Sequence, residues 1–230
     1  MQKTFKGYFF SKTHWTKRLV YGFGLLLLLP LLSACTANNN YSADKKLGVF
    51  FNVPKDWKQV PSDSINNALI DGGANGAATL VQETRFLAAY SPKSGIDPRE
   101  YFQSTAPSSP ILLVRVTQLQ QNESDALSIN ALRNHVVPLL TSLSSSANLN
   151  SGISLIDDHY LDAKGGHGIF DTFQWQNSKN QTQQLNQQIL LSKDHQYLYV
   201  FLLRANVSDL NKYGKEMEKI IKSFTVNGPV

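Results

Sequence analysis

Residues 197–204, with the sequence Tyr-Leu-Tyr-Val-Phe-Leu-Leu-Arg, are the stretch that decides the fold. If the stretch is extended, Tyr197, Tyr199, Phe201 and Leu203 lie on one face and Leu198, Val200 and Leu202 on the other. A strand that is apolar on both faces lies in the interior of a sheet that is covered on both sides. We therefore predict a strand over residues 196–204 at the centre of a covered sheet.

Three further strand-like segments precede this stretch, at residues 152–160, 168–176 and 185–192. They are separated by the turn signals Lys164-Gly165-Gly166, the polar residues 176–184, and Lys193-Asp194-His195. Short turns join neighbouring antiparallel strands. These four strands are therefore predicted to form an antiparallel meander.

An amphipathic helix is predicted after the central strand, from Ser208 as its N-cap to Phe224. Its apolar stripe consists of Leu210, Tyr213, Met217, Ile220, Ile221 and Phe224, whereas lysines dominate the opposite side. An apolar stripe on a helix faces the core, so the helix is expected to cover one face of the sheet.

The upstream segments complete the predicted fold. Strands are predicted at residues 48–53, where Pro54 ends the strand, and at 85–90 and 111–117, with a short helix at 62–70. Apolar residues at three- and four-residue spacing predict a long helix over residues 124–143, kinked at Pro138. The fold class is therefore α+β, a central antiparallel sheet covered by helices, in one domain over residues 47–226 with a tail at 227–230.

The N-terminal segment has the pattern of a secretory signal peptide. Five Lys and Arg residues precede Cys35, and the apolar stretch 25–32 is followed by Ser33 and Ala34. In this context Cys35 resembles the lipid-modified cysteine of bacterial lipoproteins, so we predict a signal peptide at residues 1–34 and a lipid on Cys35. The alternative is an uncleaved membrane anchor, but the apolar stretch is about half of the ~20 residues that a spanning helix needs. The polar residues 35–46 are predicted to be a flexible tether.

The composition after the signal peptide argues against several classes of function. Five of the 22 basic residues precede Cys35, and the remaining 17 balance the 17 acidic residues, which argues against a nucleic-acid partner. Cys35 is the only cysteine, so its lipidation leaves no thiol for a disulfide, a metal site or a nucleophile. Thr36 stands where Asp would favour retention in the inner membrane. We therefore expect a periplasm-facing protein that is held in the outer membrane.

Asp157, Asp158, His159 and His167 form the most concentrated group of potential metal ligands. On a strand, Asp157 and His159 point to one face, and His167 could approach across the next turn, which would suit a zinc ion. The alternative is a polar strand end that runs into a glycine-rich turn. The sequence has no His-Glu-x-x-His spacing, no phosphate-binding loop and no Gly-x-Ser-x-Gly motif. We therefore predict no metal, no cofactor and no catalytic residue.

Both ends of the predicted domain resemble the PsbP/DcrB-like superfamily. The resemblance is carried by Phe50-Phe51-Asn52-Val53-Pro54-Lys55-Asp56-Trp57 at one end, and by residues 197–205 with Ile220-Ile221-Lys222-Ser223-Phe224 at the other. It implies a central antiparallel sheet covered by helices, with Trp57 as a packing residue. Members include photosystem II extrinsic and assembly factors and bacterial envelope lipoproteins, and most are non-catalytic protein-binding modules.

These observations predict a lipid-anchored, non-enzymatic envelope lipoprotein that acts as a protein-binding or scaffold module. Its expected partners are the membrane, through the lipid on Cys35, and an envelope protein. The loops at residues 71–77, 103–110 and 176–184 are the expected contact surfaces. A PsbP-like photosystem II extrinsic or assembly factor is an alternative if the source is photosynthetic, and a metal-dependent or hydrolytic envelope enzyme is a second alternative.

Overall fold

The computed structural model describes residues 39–103, 105–135, 153–176 and 180–230. The predicted signal peptide, Cys35 and the second half of the predicted helix 124–143 lie outside these residues. Asn39–Val230 form one compact unit. This unit contains both sheets and the hydrophobic clusters, so it is expected to fold on its own. No helix within the described ranges is long and apolar enough to cross a membrane.

The described residues form ten strands and five α-helices. The strands are β1 (Asn39–Asp44), β2 (Val49–Pro54), β3 (Lys58–Val60), β4 (Thr84–Ser91), β5 (Ile111–Gln118), β6 (Ser154–Ala163), β7 (Gly166–Gln176), β8 (Thr182–Ser192), β9 (Tyr197–Asn206) and β10 (Thr225–Val226). The helices are α1 (Ser62–Asp71), α2 (Ala77–Glu83), α3 (Gln121–Ala126), α4 (Ile129–Arg133) and α5 (Leu210–Ser223), and there are 3-10 turns at Pro98–Tyr101 and Val207–Asp209.

Seven strands form one antiparallel sheet, in the order β3-β4-β5-β9-β8-β7-β6. The strand β9 is the fourth of the seven and is buried along most of its length, which confirms the central strand predicted over residues 196–204. The meander from β6 to β9 is also confirmed. A second sheet has the order β1-β2-β10, and its strand β2 packs against α5. The fold is therefore α+β, as predicted.

One face of the large sheet, here called the α5 face, carries the main hydrophobic core. Met217 and Ile220 of α5 and Phe224 just after it pack there with Phe51 of β2 and Phe201 of β9. The rings of Phe201 and Phe224 are in contact, with 4.9 Å between their centroids. Burial of each such side chain contributes about 1.5–3 kcal/mol. The prediction that the closing helix covers the sheet is thus confirmed.

The start of the closing helix differs from the prediction. The 3-10 turn Val207–Asp209 precedes α5, and the side chain of Asn206 accepts a hydrogen bond from the Ser208 N–H at 3.2 Å. Asn206 therefore caps this end of the helical segment, and Ser208 lies inside it. Trp57 is buried, as expected of a packing residue, and its Nε1–H donates a hydrogen bond to Glu216 Oε2 of α5 at 3.0 Å.

The opposite face of the large sheet, here called the cavity face, carries smaller groups of buried side chains. Ile65 of α1 belongs to one cluster, Leu132 of α4 to a second, and Phe173 of β7 to a third. Leu202 of β9 packs against all three clusters. Among the described residues, the buried side chains of the cavity face therefore form three separate clusters around Leu202.

Residues 39–44 form strand β1 rather than part of a flexible tether. All six residues pair with β2, and Tyr41 stacks on Phe50. The tether was predicted because these residues are mostly polar. An edge strand can nevertheless form here, because its hydrogen bonds come from the backbone, which every residue supplies.

Residues 124–143 do not form one long helix in the part of them that the structure describes. The helix α3 ends before Leu127, which is extended, and α4 begins after Ser128. The Ser128 hydroxyl accepts a hydrogen bond from the Ala131 N–H at 3.1 Å and so caps α4. The predicted helix is wrong here because Ser128 starts a new helix, which the periodic apolar pattern does not reveal.

Residues 227–230, predicted to be a tail, are hydrogen-bonded to the domain. The Asn227 N–H donates a hydrogen bond to the carbonyl of Gly48 at 2.7 Å. A Cβ atom on Gly165 would lie 1.9 Å from the backbone nitrogen of Gly228, so this close approach requires glycine. The folded domain therefore includes β1 and the C-terminal residues, which the predicted limits 47–226 left out.

Candidate functional site

The residues singled out as potential metal ligands lie on β6 and β7, and the strands bring Asp157 and His159 together but not His167. His159 is opposite Phe170 in the register and stacks on its ring, with 4.7 Å between the centroids. Asp157 lies 3.3 Å from Nδ1 of His159. His167 is on the other face, where its ring is 5.9 Å from that of His195. Within the described ranges, no three His, Cys, Asp or Glu side chains are placed to hold a metal ion.

Asp158 belongs to a buried polar cluster on the cavity face, formed with Arg133, Asp171 and Gln187. Arg133 Nη2 lies 2.7 Å from Asp158, and its Nε lies 3.6 Å from Asp171. Gln187 Nε2 donates a hydrogen bond to Asp171 at 2.8 Å. The pKa of Asp171 is raised to about 6, mainly by burial and also by the neighbouring Asp158, whereas Gln187 and Arg133 act to lower it.

This polar cluster has the raised carboxyl pKa of an acid–base site but not its accessibility. Asp171 is 0% exposed, and a general acid must come within hydrogen-bond reach of its substrate. Gln187 also donates a hydrogen bond to the backbone carbonyl of Arg133 at 3.2 Å. The cluster therefore fastens α4 to strands β6, β7 and β8.

The strand β6 forms one edge of the large sheet and pairs only with β7 among the described strands. Three large apolar side chains are exposed on it, Leu155 (41%), Ile156 (53%) and Tyr160 (70%). Its outer backbone N–H and C=O groups are available to another strand. Asp157 and Asp162 make this edge acidic, so a second copy of β6 would be repelled.

A cavity of about 550 Å³ lies on the cavity face of the large sheet. Apolar side chains from four strands line it, including Leu113 of β5, Phe173 of β7, Leu185 of β8 and Leu202 of β9. Small-molecule sites typically have volumes of about 300–1,000 Å³ and mainly apolar walls. The cavity is therefore large enough and apolar enough to hold a small organic ligand.

Two of the three loops that were expected to contact a partner, 71–77 and 103–110, each contribute a residue to the lining of this cavity. Ala74 and Gln103 line it from the first two loops. Trp175 of β7 and Leu185 of β8 also line it. The cavity thus joins segments that are far apart in the sequence.

Two arginines, Arg115 of β5 and Arg204 of β9, line the cavity and are only 7% and 9% exposed. Arg204 is paired with the backbone, because its Nη1 donates to the carbonyl of Gln103 at 2.6 Å and its Nη2 donates to the carbonyl of Glu100. Burial lowers the pKa of Arg204 to about 10, and Glu100 opposes this effect. Arg204 therefore fastens the turn after the 3-10 segment to the sheet.

Arg115 lies between Leu87 of β4 and Val200 of β9 in the strand register, surrounded by apolar neighbours. Its Nε and Nη2 atoms are buried and have no hydrogen-bond partner among the described residues. All 17 acidic residues of the sequence fall within the described ranges, and none of them forms an ion pair with Arg115. Burial lowers the pKa of Arg115 to about 10.

Sequence reasoning missed this cavity, although β5 carried a signal. Arg115 interrupts the apolar residues 111–116 in the middle of a predicted strand. A charged residue at such a position becomes buried when the strand lies inside a covered sheet, and arginine is almost never buried without a partner. Only the fold shows that Leu87 and Val200 are its neighbours and that no acid faces it.

No protein-family model matches the sequence, and no curated protein matches it. Among solved structures, the chain is similar to the PsbP protein CyanoP of the cyanobacterium Synechocystis sp. PCC 6803, with 14% sequence identity, 84% of this chain and 95% of that chain covered, and a TM-score of 0.46.

Two other solved structures are similar at a comparable level. LpqN of Mycobacterium tuberculosis, which is involved in cell envelope biogenesis, has 9% identity, with 83% of this chain and 91% of that chain covered and a TM-score of 0.44. The Ran-binding protein Mog1p of Saccharomyces cerevisiae has 11% identity, with 83% and 96% covered and a TM-score of 0.42.

Proposed function

We propose that this protein is a lipid-anchored, non-enzymatic binding module of the cell envelope and that it binds a ligand in the cavity of the large sheet. The observation that carries the proposal is the cavity itself, which has a volume of about 550 Å³ and largely apolar walls. Such a concave, apolar site with a few polar groups is the usual form of a small-molecule site.

The chemistry of the cavity wall favours binding over catalysis. Its ionisable side chains, among the described residues, are those of Tyr101, Arg115, His135 and Arg204, and none is a carboxylate or a thiol. The Tyr101 hydroxyl donates to the carbonyl of Tyr90 at 2.9 Å, and burial raises the pKa of Tyr101. Covalent catalysis needs a nucleophile next to a base. Thr117 and His135 both line this wall, but no hydrogen bond joins them among the described residues.

The lipid anchor is proposed from the sequence. The apolar stretch followed by Ser33, Ala34 and Cys35 supports lipidation of Cys35, and Thr36 supports the outer membrane. A Cys35→Ala variant should lose metabolic labelling with palmitate and stay unprocessed. Continued labelling of this variant would contradict the anchor.

Filling the cavity tests the proposed binding function. Leu202→Trp places a larger side chain between the three clusters of the cavity face, so residues 36–230 with this change should lose binding of the neutral fluorescent probe Nile red. Lys215→Trp adds the same side chain at an exposed position on α5 and should bind like the wild type. Thermal melting checks that both variants fold, and Leu202→Phe replaces Leu202→Trp if the latter does not. Equal binding by all folded variants would contradict the proposal.

The exposed edge strand β6 favours a second binding function, with a protein partner. Leu155, Ile156 and Tyr160, together with the outer backbone groups of β6, fit an extended segment that pairs as an additional strand. Asp157 and Asp162 favour a segment that contains Lys or Arg. The partner expected at this edge is therefore a basic, extended segment of an envelope protein.

Photo-crosslinking in cells tests whether a partner segment pairs with β6. A photoreactive amino acid in place of Tyr160 should give a discrete adduct with an envelope protein, whereas the same amino acid at Lys219, exposed on α5, should not. Charge reversal by Asp157→Lys and Asp162→Lys should abolish the adduct. An adduct that survives charge reversal, or that forms equally at both positions, would contradict pairing at β6.

A further inference from the structure

We infer that the cavity binds an amphiphile with a single carboxylate and an aliphatic body, of the fatty-acid type, and that Arg115 receives the carboxylate. The inference rests on the proposed binding function of the cavity and names its ligand class. Three features carry it, namely the unpaired charge of Arg115, the geometry of its guanidinium and the apolar surroundings.

The charge of Arg115 calls for an anion from outside the chain. A buried charge is strongly unfavourable unless it is paired and hydrogen-bonded. Arg115 is only 7% exposed, and its Nε and Nη2 have no hydrogen-bond partner among the described residues. Because every Asp and Glu of the sequence belongs to the described residues and none pairs with Arg115, the chain itself does not supply the anion.

The geometry of the guanidinium favours a carboxylate. The N–H groups on Nε and Nη2 of an arginine lie on the same side and point in parallel, which matches the two oxygens of a carboxylate. These are the two nitrogens of Arg115 that lack a partner. Arg204 cannot take this role in the same way, because both of its Nη atoms already donate to backbone carbonyls.

The rest of the cavity favours an apolar body. Leu113, Val200, Leu202, Phe173 and Trp175 line it around Arg115. A ligand that placed only a small anion at Arg115 would leave this apolar wall exposed to water, whereas an aliphatic chain would cover it. A ligand that fits this wall therefore has one charged end and one apolar end.

The wall fits a phosphate group less well. A phosphate carries more negative charge than a carboxylate and is usually held by several donors or cations. The described residues that line the cavity include no lysine, and Arg204 is engaged with the backbone. Arg115 is therefore the available cation, which matches a ligand with one negative charge.

A comparison of laurate with dodecanol tests the inference, because the two have the same chain length and differ in the head group. Both are titrated against residues 36–230 loaded with Nile red, below the concentrations at which they form micelles. Wild type should bind laurate at least about tenfold more tightly than dodecanol, as expected for hydrogen bonds to a charged group. Arg115→Met should abolish this preference by weakening laurate and leaving dodecanol unchanged.

Two further variants serve as controls. Arg85→Met removes the same charge at an exposed position of β4 and should keep the full preference for laurate. Arg115→Lys keeps the charge and loses the fork of parallel donors, so its preference should fall between those of the wild type and Arg115→Met. If Arg115→Met does not fold, Arg115→Gln takes its place.

The outcomes separate this inference from the proposed function. Equal affinity of the wild type for laurate and dodecanol would overturn the carboxylate inference and leave the cavity as a binding site. A preference for laurate that persists in Arg115→Met would overturn it as well. If neither compound displaced Nile red and Leu202→Trp did not affect the probe, both the inference and the proposed function would fail.

Discussion

The two cavity arginines provide a paired test of the energetic argument. Both Arg115 and Arg204 are buried, yet only Arg204 donates hydrogen bonds to the backbone. Methionine keeps the apolar stem at either position and removes the guanidinium. We predict that Arg115→Met raises the free energy of unfolding of the ligand-free protein and that Arg204→Met lowers it.

The magnitude for Arg115 follows from its pKa. Burial lowers this pKa from 12.5 to about 10, which corresponds to about 3 kcal/mol at neutral pH, since each factor of ten in the equilibrium is about 1.4 kcal/mol. This loss of stability is present below about pH 10, because the unfolded chain binds the proton of Arg115 more tightly than the folded protein does. Allowing for lost packing of the guanidinium, we expect Arg115→Met to stabilise the domain by about 1–3 kcal/mol.

The expectation for Arg204→Met has the opposite sign. The same relief from burial is outweighed by the loss of two hydrogen bonds from a charged donor, worth about 1.5–3 kcal/mol each, and by two carbonyls left without this partner. We expect a net loss of about 1–3 kcal/mol.

Urea unfolding at neutral pH measures both values, with circular dichroism as the probe and no ligand present. Thermal melting gives a second measure, in which 1 kcal/mol corresponds to about 2–4 °C for a domain of this size. If Arg115→Met destabilised the protein as much as Arg204→Met, Arg115 would have a stabilising partner. Arg115 would then not require an anion from outside the chain.

Three further predictions concern the remaining structure. The pKa of Asp171 is raised to about 6, mainly by burial, so the folded protein binds this proton more tightly than the unfolded chain. The free energy of unfolding should therefore fall as the pH rises from about 4 to about 6. Asp171→Asn should remove this fall in urea midpoints measured across that range, and an unchanged slope would contradict the prediction. Gly165→Ala should destabilise by at least about 1–3 kcal/mol because its Cβ would lie 1.9 Å from the backbone of Gly228, and a wild-type melting temperature would show that the C-terminal residues do not pack there. Gly214→Ala, in the middle of α5 with no atom closer than 3.9 Å to the new Cβ, should stabilise by about 0.5–1 kcal/mol; a lower melting temperature would indicate a contact that the structure does not show.

Much of the large sheet could be predicted because its signals are local. The two apolar faces of residues 197–204 indicate a central strand, and short turns with glycine indicate antiparallel neighbours. The separation of His159 and His167 was also within reach of the sequence. The tight turn at Lys164 and Gly165 places Ala163 opposite Gly166, and strand alternation then puts the two histidines on opposite faces.

Other features depend on residues that are distant in the sequence. The polar strand β1 forms because β2 offers it an unpaired edge, which its own composition does not reveal. The raised pKa of Asp171 depends on Gln187, Arg133 and Asp158 meeting across three strands and a helix. That Nε and Nη2 of Arg115 have no partner among the described residues also depends on the fold, because it requires every acidic residue to be placed.

The most direct test of ligand binding in the cavity is carbon-13 NMR of laurate labelled at its carboxyl carbon. An apolar site raises a carboxyl pKa, and a nearby cation lowers it. Bound to residues 36–230, laurate should give a distinct carboxyl resonance that excess unlabelled laurate removes, and this resonance should titrate at least about one pH unit lower in the wild type than in Arg115→Met. The absence of a bound resonance, or the same titration midpoint in both proteins, would contradict the account.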